Sequence, residues 1–335
     1  MGKVDTVTKA YMRKNNIFAD AFNYLIYDGK PVVAPEQLRE LDTTEIALPF
    51  GPQENGQSND LVQKYRDILK SAVVMQEDEA AYILLGIENQ TDIHYAMPVR
   101  NMIYDALQYG KQVADTAANH RKNDKSFRKR TSGEYLSGFY KEDALKPVIT
   151  LVIHFGADEW DAPLSLHEMM EVRSEKLLHY IQDYRIHLID PAKLTEKDLV
   201  KFTSSLREVM EYIKYSKDKD NLARILKDNP RMVIDREAAM VIKTITNTSI
   251  EIAEGKEEID MCEAVEAMLS ESEAKGIEKG MQQGMKQGKK EGIEIGELRM
   301  LVKQIKKGRL TIEEAAEDAA MSVEEFRKVM ESNVR

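Results

Sequence analysis

Between Tyr65 and Gln90 the chain reads YRDILKSAVVMQEDEAAYILLGIENQ, an apolar run, an acidic turn and a second apolar run. Runs of this length, separated by the polar Gln76-Glu77-Asp78-Glu79, predict a two-strand hairpin. Ile83-Leu84-Leu85-Gly86-Ile87 is apolar without alternation, as a central strand covered on both faces must be. Pro147–Phe155 (PVITLVIHF) is the most strand-like run of the chain, β-branched and ended by Gly156, with Trp160 expected to pack on it.

Elsewhere the periodicity is helical. Phe18, Phe22, Leu25 and Ile26 make one face of a helix over about Asn16–Tyr27, stopped by Asp28-Gly29. Pro35–Asp42 predicts a short helix, and a Gly/Pro/Asn-rich loop follows around 50–56. A further helix opens at Met97-Pro98 and runs to about Ala118. Beyond Ser165 a short helix at Leu166–Val172 and an edge strand at Ile186–Ile189 are expected. A long helix over Thr195–Tyr215, opened by Thr195-Glu196-Lys197-Asp198, and helices at Leu222–Asp228 and Arg236–Thr246 complete the pattern.

The tail differs in kind. Glycine recurs at 276, 280, 284, 288, 292 and 296 amid Lys, Glu, Gln and Met. A four-residue step overshoots a helical turn by about 40°, so these glycines wind round a helix rather than forming one seam. Each costs roughly 1 kcal/mol against Ala. A weak, frayed helix or linker over 263–296 is the expectation. Glu297–Lys307, Ile312–Ala320 and Val323–Met330 then read as three short helices, with Gly308 closing the first. Thr311-x-x-Glu314 and Ser322-x-x-Glu325 are capping boxes. The layout resembles a helix-turn-helix, but its helices lack the positive charge a DNA reader needs, which favours protein interaction and a homo-oligomer formed through the tail.

Charge and composition narrow the classes. The chain of 335 residues is 42% hydrophobic and 32% charged, with a net charge of −10 that argues against broad adhesion to nucleic acid. One stretch departs from this balance: Arg121, Lys122, Lys125, Arg128, Lys129 and Arg130 fall in ten residues with a single acid, Asp124. Such a run is either a solvated loop or a set of DNA phosphate contacts beside the helix that carries Arg100. The single cysteine, Cys262, has acidic neighbours and fits a structural residue in a reducing cytoplasm. No apolar run approaches the length of a membrane span.

Candidate chemistry gathers on the hairpin. Asp67 opens its first strand, Glu88 ends the second, and Gln90 shares a face with Glu88 because side chains alternate. Arg100 and Tyr104 lie one turn apart on the helix that follows. Two carboxylates and a polar group at the end of a hairpin suit a divalent metal ion used in phosphodiester hydrolysis. Asp-x20-Glu-x-Gln is weak as an isolated motif, and a solvated Asp with a strand-ending Glu is the plain alternative.

The segments RDILKSAVV, AYILLGIENQ, MPVRNMIYDALQY, SGFYKEDALKPVITLVIHFGADEWDAPLSLHEM and SSLREVMEYIKYSKDK add a family signal. Together, and in this order, they resemble the recombination-promoting nuclease (Rpn) family, also classed with the putative transposases of the PD-(D/E)xK nuclease superfamily. The resemblance runs from about Asn15 to about Cys262. It implies an α+β fold with a restriction-endonuclease-like core, a mixed sheet flanked by helices, here with a helical C-terminal extension. With the pattern of the tail, the chain divides at 1–262 (core about 15–160, helical elaboration about 165–262), 263–296 and 297–335. The resemblance also implies cleavage of double-stranded DNA dependent on Mg²⁺ or Mn²⁺. By position, Asp67 matches the metal-binding aspartate and Glu88 the second carboxylate. Gln90 stands where the superfamily has Lys, and Asp20 matches the acid of the first helix. Gln is neutral and can only hydrogen-bond, which leaves Arg100 as the candidate for the missing positive charge. An active endonuclease is one reading; a weak or inactive member that binds DNA or protein is the other.

Overall fold

The computed structural model describes residues 3–42, 44–47, 62–65, 67–76, 79–123, 131–227, 229–253 and 255–332. Two helices, α1 (Lys3–Met12) and α2 (Asn15–Tyr27), come first. The short strands β1 (Arg39–Glu40), β2 (Thr44–Ala47) and β3 (Val62–Tyr65) precede the hairpin of β4 (Ile68–Gln76) and β5 (Glu79–Gln90). Helices α3 (Met97–Asn123) and α4 (Ser132–Ser137) then cross over to β6 (Val148–His154). After α5 (Glu175–Leu178) come β7 (His187–Ile189), α6 (Glu196–Leu199), α7 (Leu206–Tyr215) and α8 (Lys219–Leu226). Next are β8 (Val233–Asp235), α9 (Arg236–Thr246) and β9 (Glu258–Asp260), then α10 (Met261–Lys306), α11 (Ile312–Asp318) and α12 (Val323–Ser332). The chain divides into two compact units, Met1–Val265 and Glu266–Arg335.

The first unit is built on a five-strand sheet ordered β1-β4-β5-β6-β7. β4 and β5 pair antiparallel, whereas β5–β6 and β6–β7 pair parallel. The fold is thus α+β with a mixed sheet flanked by helices, as the sequence led one to expect. β5 lies at the centre, and its unbroken apolar run is buried: Leu85 and Ile87 have no exposed surface. The two faces are covered differently. α3 takes one, where Met97 packs with Val152 and Trp160 and the Tyr109 hydroxyl accepts from the Val148 N–H. α1 and α2 lie on the other. There the buried Lys70 ammonium donates to the Arg13 carbonyl and to Asn15 Oδ1, 4.9 Å from the Phe18 ring centre.

Several local expectations need correction. α1 was not anticipated: Val4, Thr8, Tyr11 and Met12 recur at helical spacing, and the last three are buried. Pro35–Asp42 makes one 3-10 turn, Pro35–Gln37, before entering β1. Leu166–Val172 likewise gives only the turn His167–Met169. The single helix foreseen over Thr195–Tyr215 is two, α6 and α7, although Thr195 caps the first as expected. The interruption has a cause. Thr203 and Ser204 give their backbone N–H groups and hydroxyls to the buried Asp20 carboxylate, at 2.6–3.1 Å. One carboxylate serving these donors outweighs the few helical hydrogen bonds forgone. Close packing in this region also accounts for Gly29, at φ +84°: a Cβ there would lie 2.7 Å from the Lys201 carbonyl oxygen.

In the second unit the glycine tract is helical throughout, as part of the 46-residue α10. The three helices expected after it are the end of α10, then α11 and α12. Gly308 is left-handed at φ +66°, and both capping boxes are formed. Val302, Ala315, Ala316 and Phe326 are buried together as a small core.

Candidate active site

The site lies where β4 begins and β5 ends. Ile68 pairs with Ile87, so Asp67, one residue earlier, stands opposite Glu88. The Asp67 N–H points at Glu88 Oε1 at 3.4 Å, and the Asn89 N–H donates to Asp67 Oδ2 at 2.8 Å. Alternation along β5 sends Glu88 and Gln90 toward the face that α3 covers. From the first turn of α3, Arg100 places Nη2 3.0 Å from Glu88 Oε2, with its guanidinium 5.7 Å from the Tyr104 ring centre. From the opposite face, Lys9 of α1 brings Nζ to 3.6 Å from Asp67 Oδ1. His154, at the end of β6, is buried and ties down the strand end, with Nδ1 3.3 Å from the Gln90 carbonyl and Nε2 3.1 Å from that of Asp158.

The electrostatics follow from burial. Glu88 has no exposed surface, and the side chain of Asp67 keeps only 13%. Burial pushes the Asp67 pKa up; the Asn89 N–H, Lys9 and Arg100 oppose this, and Asp5 of α1 adds to it. For Arg100 burial is the largest influence and acts against the charge, but Glu88, Tyr104 and Asp67 together outweigh it and hold the guanidinium more firmly protonated than usual. A fully buried carboxylate stays ionised only with such a partner.

Whether these residues fit a divalent metal ion can be judged from the donors. Asp67 and Glu88 are hard oxygen ligands on adjacent strand ends, and Asp67 is a carboxylate whose surroundings call for more positive charge. Among the described residues no three His, Cys, Asp or Glu side chains gather closely enough to hold a metal by themselves. Two carboxylate oxygen donors are of the type that Mg²⁺ or Mn²⁺ would take, with water and phosphate oxygens completing the shell.

The remaining candidates lie elsewhere. Asp20 does not join the pair: its carboxylate is occupied by Thr203 and Ser204, so it serves as an anchor between α2 and α7. Arg121 and Lys122 are exposed in the last turn of α3. They are separated from Arg100 by about 30 Å of helix at 1.5 Å per residue, so they do not lie beside it. Lys125, Arg128, Lys129 and Arg130 lie outside the described residues. Cys262 is partly buried with its thiol directed at the Leu226 carbonyl, in keeping with a structural role. Asp5 and Lys9 were missed; their one-turn spacing beside Val4 and Thr8 was the available signal.

A mixed sheet carries the carboxylate pair at the end of its central hairpin, and the family comparison adds to this geometry. The family model described as "Putative transposase, YhgA-like" matches residues 52–238, more than half of the chain. The chain belongs to this family, in agreement with its motif resemblance. Asp67, Glu88, Gln90 and Arg100 fall inside the matched span; Asp5, Lys9 and the second unit fall outside it. No curated protein and no solved structure matches the chain.

Proposed function

We propose that this protein is a Mg²⁺-dependent endonuclease of the recombination-promoting, transposase-like type, acting in the cytoplasm on double-stranded DNA. The observation that carries the reading is the Asp67–Glu88 pair at one sheet edge, Glu88 fully and Asp67 partly buried, flanked by a cation from each face. Asp67 and Glu88 would hold the ion, which supplies Lewis-acid charge at the phosphate when bound. Gln90, the next residue on the Glu88 face, would orient the attacking water through its side-chain amide. Arg100 fixes the Glu88 carboxylate and so keeps the ligand geometry. In the reaction a water oxygen forms a bond to phosphorus while the opposite P–O bond breaks. A phosphomonoester and a hydroxyl result, the attacking water giving up one proton to solvent and the leaving oxygen taking one from it.

A second reading has its own support. Gln90 cannot carry charge, and the 3.0 Å Arg100–Glu88 pair already neutralises one carboxylate. Both features suit a weak or inactive member that binds DNA or protein, with the second unit mediating assembly of copies. Incubating supercoiled plasmid with the purified protein in Mg²⁺ and in EDTA separates the two. Nicking in Mg²⁺ alone supports the enzyme; binding without nicking in either buffer supports the alternative. No helix among the described residues is long and apolar enough to cross a membrane.

A further inference from the structure

Resting on the nuclease reading, we propose that Lys9 is the phosphate-binding cation of this site. It neutralises Asp67 while no divalent ion is bound and contacts a phosphate of the DNA backbone once one is. The two cations near the carboxylates are not equivalent. Arg100 is committed: its Nη2 lies 3.0 Å from a carboxylate that has no exposed surface. Lys9 is not. Its 3.6 Å separation from Asp67 Oδ1 is a charge contact, too long for a hydrogen bond, and Asp67 Oδ2 already accepts from the Asn89 N–H. The three ammonium donors are therefore not held by Asp67. An ammonium on a four-carbon stem can also turn toward a new oxygen, as a guanidinium fork fixed on a buried carboxylate cannot.

The charge balance points the same way. Asp5, one turn before Lys9 on α1, acts on Asp67 together with Lys9 and Arg100. With Asp5, Asp67 and Glu88 ionised against Lys9 and Arg100, the site is negative by one charge. A divalent ion makes it positive by one, the sign that a phosphate requires. With Asp67 holding a divalent ion, Lys9 would no longer be needed to neutralise it and would be free for a phosphate oxygen. Gln90 offers no charge for this purpose.

The test compares the full-length parent with Lys9→Met, which keeps the apolar stem, and with Lys9→Arg. Mn²⁺ affinity is measured by calorimetry without DNA. Affinity for a fluorescent DNA duplex is measured in Ca²⁺ over a salt series, and melting temperatures are recorded. Lys9→Met is expected to bind Mn²⁺ at least as tightly as the parent and to melt at the same temperature. It should lower the slope of log affinity against log salt by about one, the loss of one phosphate contact, and Lys9→Arg should restore it. An unchanged slope in Lys9→Met overturns the proposal. So does weakened Mn²⁺ binding with a lower melting temperature, which would make Lys9 a clasp between α1 and the hairpin. A parent that binds no Mn²⁺ contradicts the nuclease reading and this inference with it. A parent that binds Mn²⁺, beside a Lys9→Met variant of identical salt slope, overturns the role of Lys9 alone.

Discussion

At the sheet edge Arg100 meets a Glu88 carboxylate with no exposed surface, at 3.0 Å. Along α10, Lys275 meets Glu271 at 2.5 Å with both side chains more than half exposed. The ion pairs look alike and differ in energy. The exposed pair is screened and contributes at most a few tenths of a kcal/mol to its helix. The buried pair sets a carboxylate with no exposed surface against an arginine side chain that keeps 27% of its own, so its attraction is little screened and its geometry is usable. The same contrast runs through both regions. The hairpin edge presents few polar groups, each held by strands paired over their length. The glycine tract presents many, on a helix whose Ile277, Met281 and Met285 are exposed and whose glycines have nothing within 4 Å of a prospective Cβ.

The largest effect is expected at the buried pair. Glu88→Gln keeps the shape but removes the charge nearest to Arg100. Cleavage should fall about 100-fold or more, and denaturant melts should show a loss of about 3 kcal/mol. Lys275→Ala, by contrast, should stay within about 0.5 kcal/mol of the parent. Equal costs for the two variants would break the comparison.

Asp20→Ala comes next. The variant leaves the Thr203 and Ser204 donors unpaired, with an expected loss of about 2–3 kcal/mol and unchanged cleavage per folded molecule. Reduced metal affinity in the folded variant would return Asp20 to the metal site and undo its assignment as an anchor.

A smaller gain is expected from Gly284→Ala. The helix should be stabilised by roughly 1 kcal/mol, visible as slower amide exchange around residue 284, with no change in cleavage. Faster exchange would show that the tract needs its glycines for a close contact. The smallest effect is reserved for truncation at about Ser270, beyond the last buried residue of the first unit, Val265. Cleavage per active site should not change, although self-association could. Lost cleavage at matched folded concentration would give the second unit a part in DNA binding or in an obligate dimer.

What could be read from the sequence followed local signals. The hairpin, β6 and the start of α3 declare themselves through apolar runs, β-branched residues and a proline at the helix entrance. The carboxylate pair was legible with them, because strand alternation and a short turn fix Asp67 against Glu88. Long-range bonds were not. The helix over 195–215 has continuous local propensity and is broken by Asp20, nearly two hundred residues away in sequence. Asp5 and Lys9 belong to the site only because α1 packs beside the end of β5, a tertiary fact. Local cost misled in the tail as well. Six glycines weaken a helix, yet α10 persists through them, helped by pairs one turn apart such as Gln282–Glu278 and Gln287–Glu291.

The central claim is that the Asp67–Glu88 edge cleaves DNA with a divalent ion. Plasmid nicking by Asp67→Ala beside the parent, at matched folded concentration and with Mg²⁺ or EDTA, tests it most directly. The account predicts conversion of supercoiled plasmid by the parent in Mg²⁺ only, and none by the variant in either buffer. Equal nicking by parent and variant, or nicking that persists in EDTA, would contradict it.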